Sequence, residues 1–193
     1  SRVVVALALL GVVVLAGCAR MRGGAAATPP PSATVAAGIA DYSARLVSGG
    51  LTRTYLVHLP PAASAGRPLP LLLALHGRLG DGQGQASLTG FNAVADQYGF
   101  IVVYPDGYQR SWADGRGTTP ADTAGVDDVA FLGALLDQVE AQHKVDTRRV
   151  YVTGMSNGGF MTERLGCDLA QGRRRLWPRQ RTIERVEPFE SLR

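Results

Sequence analysis

Through the middle of the chain, continuously apolar stretches alternate with segments whose apolar residues have the spacing of a helix. Residues 70–75 and 100–104 are continuously apolar, and 149–153 is rich in β-branched residues, which is typical of strands buried in a sheet. Between them, apolar residues at 86–98 and 126–143 recur every three or four positions, which predicts helices with one buried face. Strands that alternate with helices predict an α/β fold, in which a mostly parallel sheet is flanked by crossover helices.

The segment before this region predicts a β-hairpin. Gly49 and Gly50 form a turn signal, and residues 52–59 alternate between polar and apolar at period two. His58 is expected to be a half-exposed residue of the second strand. Further along, 108–125 is predicted to be a long loop, and loops of that length in a compact domain are often binding segments.

The first 18 residues are predicted to be an export signal. Arg2 precedes an apolar run at 3–16, which is too short to span a membrane but suits the core of a signal peptide. The segment ends in Leu-Ala-Gly-Cys at 15–18, which resembles the lipobox of bacterial lipoproteins and implies acylation of Cys18. We therefore expect an exported protein, either lipid-anchored to the outer face of the cell membrane or secreted.

Composition changes on both sides of the predicted domain. Residues 19–40 are rich in Ala, Gly and Pro and are expected to form a flexible linker, whereas 41–170 carry the sheet pattern. Residues 171–193 contain seven arginines and three glutamates, so the net charge of +4 belongs to this tail and does not indicate a nucleic-acid-binding fold. We expect the tail to be a non-native product of a frameshift. A basic appendage that binds anionic lipid is the alternative.

A serine at the apex of a predicted strand, turn and helix is the strongest chemical signal in the sequence. Gly-Met-Ser-Asn-Gly at 154–158 follows the strand at 149–153 and precedes a helix predicted over 160–169. Such a turn lifts the serine hydroxyl clear of the sheet, and the glycines leave room for a strained backbone. We therefore predict that Ser156 is a catalytic nucleophile. A glycine-rich turn with an incidental serine is the alternative.

Two backbone N–H groups are candidates for an oxyanion hole. In acyl-transfer enzymes one donor is the residue after the nucleophile, here Asn157, and the other lies in an earlier strand-to-helix loop. Arg78 follows the strand at 70–75 and is the candidate for that second donor. His76 in the same loop is expected to support the loop and not to take part in catalysis.

No cofactor or metal site is predicted. The glycines at 80, 82 and 84 resemble a dinucleotide-binding fingerprint, but Ser87 occupies the position of the final glycine. The sequence also contains no phosphate-binding loop and no pair of histidines with metal-ligand spacing.

A serine nucleophile needs a base and an acid that orients the base. In the expected fold their chain order is Ser, then Asp or Glu, then His. The three histidines, His58, His76 and His143, all precede Ser156. We therefore predict that the triad is not completed within this sequence and that the chain is inactive or impaired.

Five sequence blocks occur together and in order, namely Leu75-His76-Gly77, Tyr104-Pro105-Asp106-Gly107, Ser111-Trp112-Ala113-Asp114-Gly115-Arg116, Gly125-Val126-Asp127-Asp128-Val129 and Gly154-Met155-Ser156-Asn157-Gly158-Gly159. They resemble the polyhydroxybutyrate depolymerase and feruloyl esterase family of α/β-hydrolases, in particular its actinobacterial lipoprotein esterases. The resemblance extends over about residues 45–170.

This resemblance implies the N-terminal part of an α/β-hydrolase fold. It also implies that Ser156 is the nucleophile, that Asn157 and Arg78 supply oxyanion N–H groups, and that Trp112 and its loop line the acyl or alcohol pocket. Family members continue with strands that carry the acid and the histidine, so we expect this chain to be truncated or frameshifted after about residue 170.

We therefore expect a serine esterase that acts through an acyl-enzyme. Its substrate is expected to be a polyhydroxyalkanoate, a feruloyl or acetyl ester, or a short-chain ester. The alternative is a non-catalytic, lipid-anchored surface protein or a pseudo-enzyme fragment. The expected partners are the ester substrate and the bacterial membrane, with no nucleic acid and no cofactor.

Overall fold

A five-stranded mixed sheet lies at the centre of the computed structural model, which describes residues 40–170. Its order is β1-β2-β4-β3-β5. Strand β3 runs parallel to β4 and β5, whereas β2 pairs antiparallel with β1 and β4. The predicted hairpin and the predicted parallel strands are therefore both present. The strands are β1 (Ala40–Ser48), β2 (Leu51–Leu59), β3 (Leu69–Leu75), β4 (Ile101–Pro105) and β5 (Val145–Gly154).

Helices connect the parallel strands, and a short 3₁₀ helix, Pro61–Ala65, precedes β3. Among the described residues the α-helices are α1 (Gly82–Thr89), α2 (Phe91–Tyr98), α3 (Pro120–Thr123), α4 (Asp128–Gln142) and α5 (Asn157–Ala170).

The apolar run of β3 is buried on both faces of the sheet. Leu71 and Leu73 belong to a core cluster that also contains side chains of α4 and α5. Leu72 and Ala74 instead pack in a second cluster with side chains of α1 and α2. Because successive strand residues point to opposite faces, a continuous apolar run is what a strand between two helical layers requires. The predicted α/β class is confirmed.

The helix predicted over 86–98 is two helices in the structure. Gly90 has φ +62°, and it ends α1 and begins α2 at a left-handed residue. The Asp81 side chain caps the start of α1 by accepting a hydrogen bond from the Gly84 N–H. The apolar spacing continues across Gly90, so it gave no sign of the break.

His58 is buried, and the expectation of a half-exposed strand residue is wrong. Its side chain is 3% exposed. The Nδ1 atom lies 2.5 Å from an Asp41 carboxylate oxygen, and Nε2 lies 3.0 Å from one of Asp96. Asp96 belongs to α2, so this helix covers the outward face of β2 that the alternating pattern assigned to solvent.

Several predictions concern residues outside 40–170. The signal segment 1–18 with Cys18, residues 19–39 of the linker and the tail 171–193 all lie outside the described residues. In the part of the chain that the structure describes, no helix has the length and apolar character needed to cross a membrane.

Candidate active site

Ser156 occupies a sharp turn between the end of β5 and the start of α5. It is exposed, and its φ of +51° lies in the left-handed region. A residue other than glycine in that region carries a strain of about 1–3 kcal/mol, and such strain is concentrated at functional sites. The preceding residue is tied to the sheet, since the Met155 N–H donates to the Leu75 carbonyl at 3.1 Å. The predicted strand, turn and helix around the serine are therefore present.

Close backbone approach explains the glycines on either side of the serine. A Cβ atom on Gly154 would lie 2.3 Å from the Gly158 carbonyl carbon. A Cβ atom on Gly158 would lie 2.5 Å from the Leu75 carbonyl oxygen. No side chain fits at either distance, so the first turn of α5 packs directly against the end of the sheet.

The loop after β3 lies against the serine. A Cβ atom on Gly77 would be 3.6 Å from the Ser156 Cβ, and Arg78 is the next residue. Neither the Arg78 N–H nor the Asn157 N–H donates a hydrogen bond to another group of the described chain. The structure therefore brings the predicted nucleophile and the residues of the two predicted oxyanion donors to one end of the sheet.

His76 is a fixed structural residue of this loop. It is 1% exposed, its Nδ1 lies 2.7 Å from the Gly77 carbonyl oxygen, and its Nε2 accepts a hydrogen bond from the Gly107 N–H at 2.9 Å. Burial lowers the pKa of His76, while the Gly77 carbonyl and the charge of Asp106 oppose that shift. A neutral ring with the proton on Nδ1 satisfies both contacts, so His76 connects the loops that follow β3 and β4.

The Asn157 side chain has a role that the sequence did not indicate. It is buried, and its Oδ1 accepts a hydrogen bond from the Trp112 N–H at 2.8 Å. Its amide group donates to the Trp112 carbonyl at 3.1 Å and to an Asp114 carboxylate oxygen at 2.6 Å. Asn157, the residue after the predicted nucleophile, is thereby attached to the loop at 108–125, and these side-chain bonds restrict the position of its backbone N–H.

Trp112 is buried and lines neither of the two pockets described below, whereas other residues of its loop do. Its side chain is 0% exposed. The indole N–H donates to the His76 carbonyl at 2.8 Å, and the indole and imidazole ring centres lie 4.9 Å apart. A buried indole needs a partner for its N–H, and the carbonyl at the end of β3 supplies that partner. Trp112 therefore supports the loop that carries Arg78.

Two further charged groups hold the Trp112 loop. The Asp128 carboxylate accepts a hydrogen bond from the Ala113 N–H at 2.7 Å and lies 2.8 Å from an Arg53 guanidinium nitrogen, with both side chains buried. Burial raises the pKa of Asp114, but hydrogen bonds from Arg116 and Asn157 outweigh that effect, and the pKa is lowered overall. The Asp114 carboxylate is therefore anionic and engaged in structural contacts.

Two pockets lie beside these loops. One, of about 470 Å³, is lined mainly by Asp114, Arg116, Phe160, Glu163, Arg164 and Cys167. Here the Arg116 guanidinium lies over the Phe160 ring at 3.6 Å. The other, of about 450 Å³, is lined mainly by Arg78, Tyr108, Gln109, Thr118, Thr119 and Thr123.

The chain's histidines are engaged away from the serine. His58 contacts two aspartates, His76 contacts two backbone groups, and His143 Nε2 lies 2.5 Å from the Tyr42 hydroxyl. All three histidines of the sequence belong to the described residues. Across residues 40–170 no histidine forms a hydrogen bond with Ser156, and no group of three His, Cys, Asp or Glu side chains is placed to hold a metal ion.

Comparisons with known proteins show sequence similarity to esterases and depolymerases. A family model described as esterase PHB depolymerase matches residues 53–169. A bifunctional acetylxylan esterase/xylanase of Neocallimastix patriciarum is 36% identical over 106 residues, which cover 55% of this chain and 15% of the relative. A poly(3-hydroxybutyrate) depolymerase of Ralstonia pickettii is 35% identical over 144 residues, which cover 65% of this chain and 28% of the relative. The chain thus spans less than a third of the length of either relative.

The fold is shared with a solved esterase. The structure of an acetyl xylan esterase from Aspergillus awamori matches with a TM-score of 0.54 and 21% identity, over 67% of this chain and 48% of that one. At this level of identity the similarity concerns the fold alone. It confirms that the described sheet and helices form the predicted part of an α/β-hydrolase fold.

Proposed function

The chain belongs to the esterase PHB depolymerase family, and on that basis we propose that it hydrolyses carboxylic esters with Ser156 as the nucleophile. One observation carries the proposal: Ser156 is an exposed residue with φ +51° between a strand and a helix, beside the loop of Gly77. A turn of this kind presents a hydroxyl at the top of a sheet, where an ester can reach it.

In the proposed reaction the Ser156 Oγ attacks the ester carbonyl carbon and loses its proton to a base. The carbonyl oxygen becomes an anion, and the backbone N–H groups of Arg78 and Asn157 stabilise it by hydrogen bonds. The C–O bond to the alcohol then breaks, the alcohol takes up a proton, and an acyl-enzyme remains. Water attacks the acyl-enzyme in the same way, which releases the acid and restores the serine.

Buried side-chain contacts fix the positions of the two proposed oxyanion donors, the backbone N–H groups of Asn157 and Arg78. The Asn157 side chain is occupied by Trp112 and Asp114, so its backbone N–H is the group available to substrate. His76 and Trp112 fix the loop of Arg78 in the same manner. Loss of one such donor typically lowers kcat by about 100- to 1000-fold.

No histidine within residues 40–170 is placed to act as the base for Ser156. His58, His76 and His143 all have other partners. We therefore propose that the 193-residue chain by itself hydrolyses esters slowly. Active sites that lose triad members retain about 1000- to 10,000-fold acceleration over water through the oxyanion hole and substrate binding.

Hydrolysis of p-nitrophenyl acetate by the full chain tests this proposal, with Ser156→Ala as the comparison. We expect a slow release of p-nitrophenol that exceeds the rate of the variant, and an increase of this difference when imidazole is added as a substitute base. Equal rates for the two proteins, with and without imidazole, would show that Ser156 is not the nucleophile.

The natural ester is proposed from the relatives. Their names include acetylxylan esterase, poly(3-hydroxybutyrate) depolymerase and feruloyl esterase, so the candidates are a polyhydroxyalkanoate, a feruloyl or acetyl ester, and a short-chain ester. A panel of these esters, compared by kcat/KM for the full chain, would rank them.

A second candidate function is a non-catalytic surface lipoprotein. The sequence Leu-Ala-Gly-Cys at 15–18 favours it, together with the engagement of all three histidines elsewhere. We propose in either case that Cys18 carries the lipid and that the protein is exported. Labelling of expressing bacteria with radioactive palmitate should mark the wild-type chain but not Cys18→Ser, and equal labelling of both would contradict the anchor.

A further inference from the structure

The pocket lined by Arg78 differs in charge from the pocket lined by Arg116. Its lining combines one guanidinium, Arg78, with hydroxyl and amide groups and contains no carboxylate. The pocket at Arg116 instead contains both Asp114 and Glu163 together with two arginines. Of these two pockets, only the Arg78 pocket therefore offers an anion a positive charge without a carboxylate in its own lining. The Asp122 carboxylate, outside the lining, is bonded to the Thr119 hydroxyl and the Gly115 N–H.

The Arg78 guanidinium is available to a ligand. The residue is exposed, and it takes part in none of the ion pairs formed within the described residues. The neighbouring Arg110 contrasts with it, because a guanidinium nitrogen of Arg110 lies 3.6 Å from an Asp81 carboxylate oxygen. Gln109 and Thr118 are exposed in the same pocket and can donate hydrogen bonds to a carboxylate. The Thr123 hydroxyl also lies in the lining, but it donates to the Thr119 carbonyl at 3.1 Å.

The pocket walls are held in a strained arrangement. Leu79, Gln109 and Arg110 have φ of +67°, +45° and +58°, and these residues adjoin or line the pocket. The Leu79 N–H donates to the Arg110 carbonyl at 2.8 Å, so the two loops are joined. Strain of this kind persists where the surrounding structure over-determines it and is concentrated at ligand clamps, and a wall formed before binding lowers the entropic cost of binding.

The position of the pocket connects it to the proposed chemistry. Arg78 follows Gly77, whose backbone lies against Ser156. An ester carbonyl held by the Arg78 N–H therefore places the rest of the substrate within reach of the Arg78 side chain. One residue can thus serve the reacting carbonyl with its backbone and a second group of the substrate with its side chain.

We propose that this pocket is a carboxylate subsite, so that the preferred substrates are esters that carry a free carboxylate on the acyl or the alcohol part. This inference rests on the proposed function for the identity of the ester. It makes Arg78 a residue that determines specificity through its guanidinium, in addition to the role of its backbone N–H.

Binding measurements test the subsite independently of catalysis. Ser156→Ala is titrated with 3-acetoxybutyrate, whose carboxylate lies on the alcohol part, and with monomethyl succinate, whose carboxylate lies on the acyl part. The uncharged controls are the corresponding methyl esters. Charged hydrogen bonds are about twice as strong as neutral ones, and we expect at least one acid to bind about tenfold more tightly than its methyl ester. The acid that shows the preference identifies the part of the substrate that the subsite holds.

Two further variants in the Ser156→Ala background assign the effect to Arg78. Arg78→Gln should reduce the preference for the acid to less than about twofold, whereas Arg110→Gln, which removes a nearby charge outside the pocket, should retain it. The proposal is overturned if neither acid binds more tightly than its ester, or if Arg78→Gln retains the preference. Because Ser156 is absent throughout, a failure of the serine to react leaves these results unaffected.

Discussion

The side chain of Asn157 pairs with both backbone polar groups of Trp112. Its Oδ1 accepts the Trp112 N–H at 2.8 Å, and its Nδ2 donates to the Trp112 carbonyl at 3.1 Å. The two residues are 45 positions apart in the chain. This amide bridge joins the residue after the proposed nucleophile to Trp112, whose indole in turn supports the loop of Arg78.

Asn157→Ala should therefore destabilise the protein. It removes the bridge to Trp112 and leaves buried polar groups without partners, and we expect a loss of about 2–4 kcal/mol in the free energy of unfolding. Asn92→Ala is the control, since Asn92 is only half-buried. It accepts a hydrogen bond from the Tyr104 hydroxyl at 2.7 Å and donates a long, exposed one to Asp41 at 3.3 Å. Urea unfolding of both variants measures the difference. Equal losses would contradict the structural role of the bridge.

Glycine substitutions within α5 should have opposite effects. Gly158→Ala places a Cβ atom 2.5 Å from the Leu75 carbonyl oxygen, so the helix must shift away from the sheet. We expect a loss of about 3 kcal/mol or more, because backbone atoms cannot yield as side chains do. Gly166→Ala meets no atom within 4 Å and should stabilise the helix by about 1 kcal/mol. Thermal denaturation of the two variants tests both changes in stability. A Gly158→Ala variant as stable as the wild type would contradict the close packing of α5 against the end of β3.

Adjacent aspartates at the start of α4 should differ in importance. Asp127 caps the helix by accepting a hydrogen bond from the Ala130 N–H, and Asp127→Ala should cost about 1 kcal/mol. Asp128 is buried against Arg53, and Asp128→Ala should cost about 3–5 kcal/mol because it leaves a buried guanidinium without a carboxylate to balance its charge. Similar losses in chemical denaturation would contradict this assignment.

Stability should fall as the pH falls below about 6.5. Burial lowers the pKa of His76 and of His143 below the ordinary value of 6.5, so the unfolded chain binds protons in this range that the folded chain does not. The free energy of unfolding therefore decreases from pH 6.5 toward pH 5, by up to about 1.4 kcal/mol per pH unit for each group. His76→Gln should reduce this slope and leave the part that is due to His143. A slope equal to that of the wild type, measured by urea unfolding at several pH values, would contradict a neutral buried His76.

The sheet and the nucleophile turn could be predicted from the sequence because they depend on local patterns. The apolar run 70–75 is continuous for the reason that β3 is covered on both faces, and Gly154 and Gly158 are required by close backbone approach. Long-range contacts left no such pattern. Trp112 lies in a loop, and its indole N–H donates to the His76 carbonyl in the core, a contact that no local sequence pattern indicates. The alternating pattern of β2 placed His58 on a face open to solvent, but α2 covers that face through Asp96.

Labelling by a fluorophosphonate tests whether Ser156 is the nucleophile without requiring turnover of an ester. The full chain is incubated with the probe for hours, and the adduct is measured by intact mass and located by peptide mapping. Ser87 is an exposed serine of α1 whose hydroxyl donates to the Gln83 carbonyl, and Ser87→Ala is the matched control. We expect one adduct per chain on Ser156, which is lost in Ser156→Ala and retained in Ser87→Ala. Labelling of Ser156 no faster than of the other serines would contradict its role as the nucleophile.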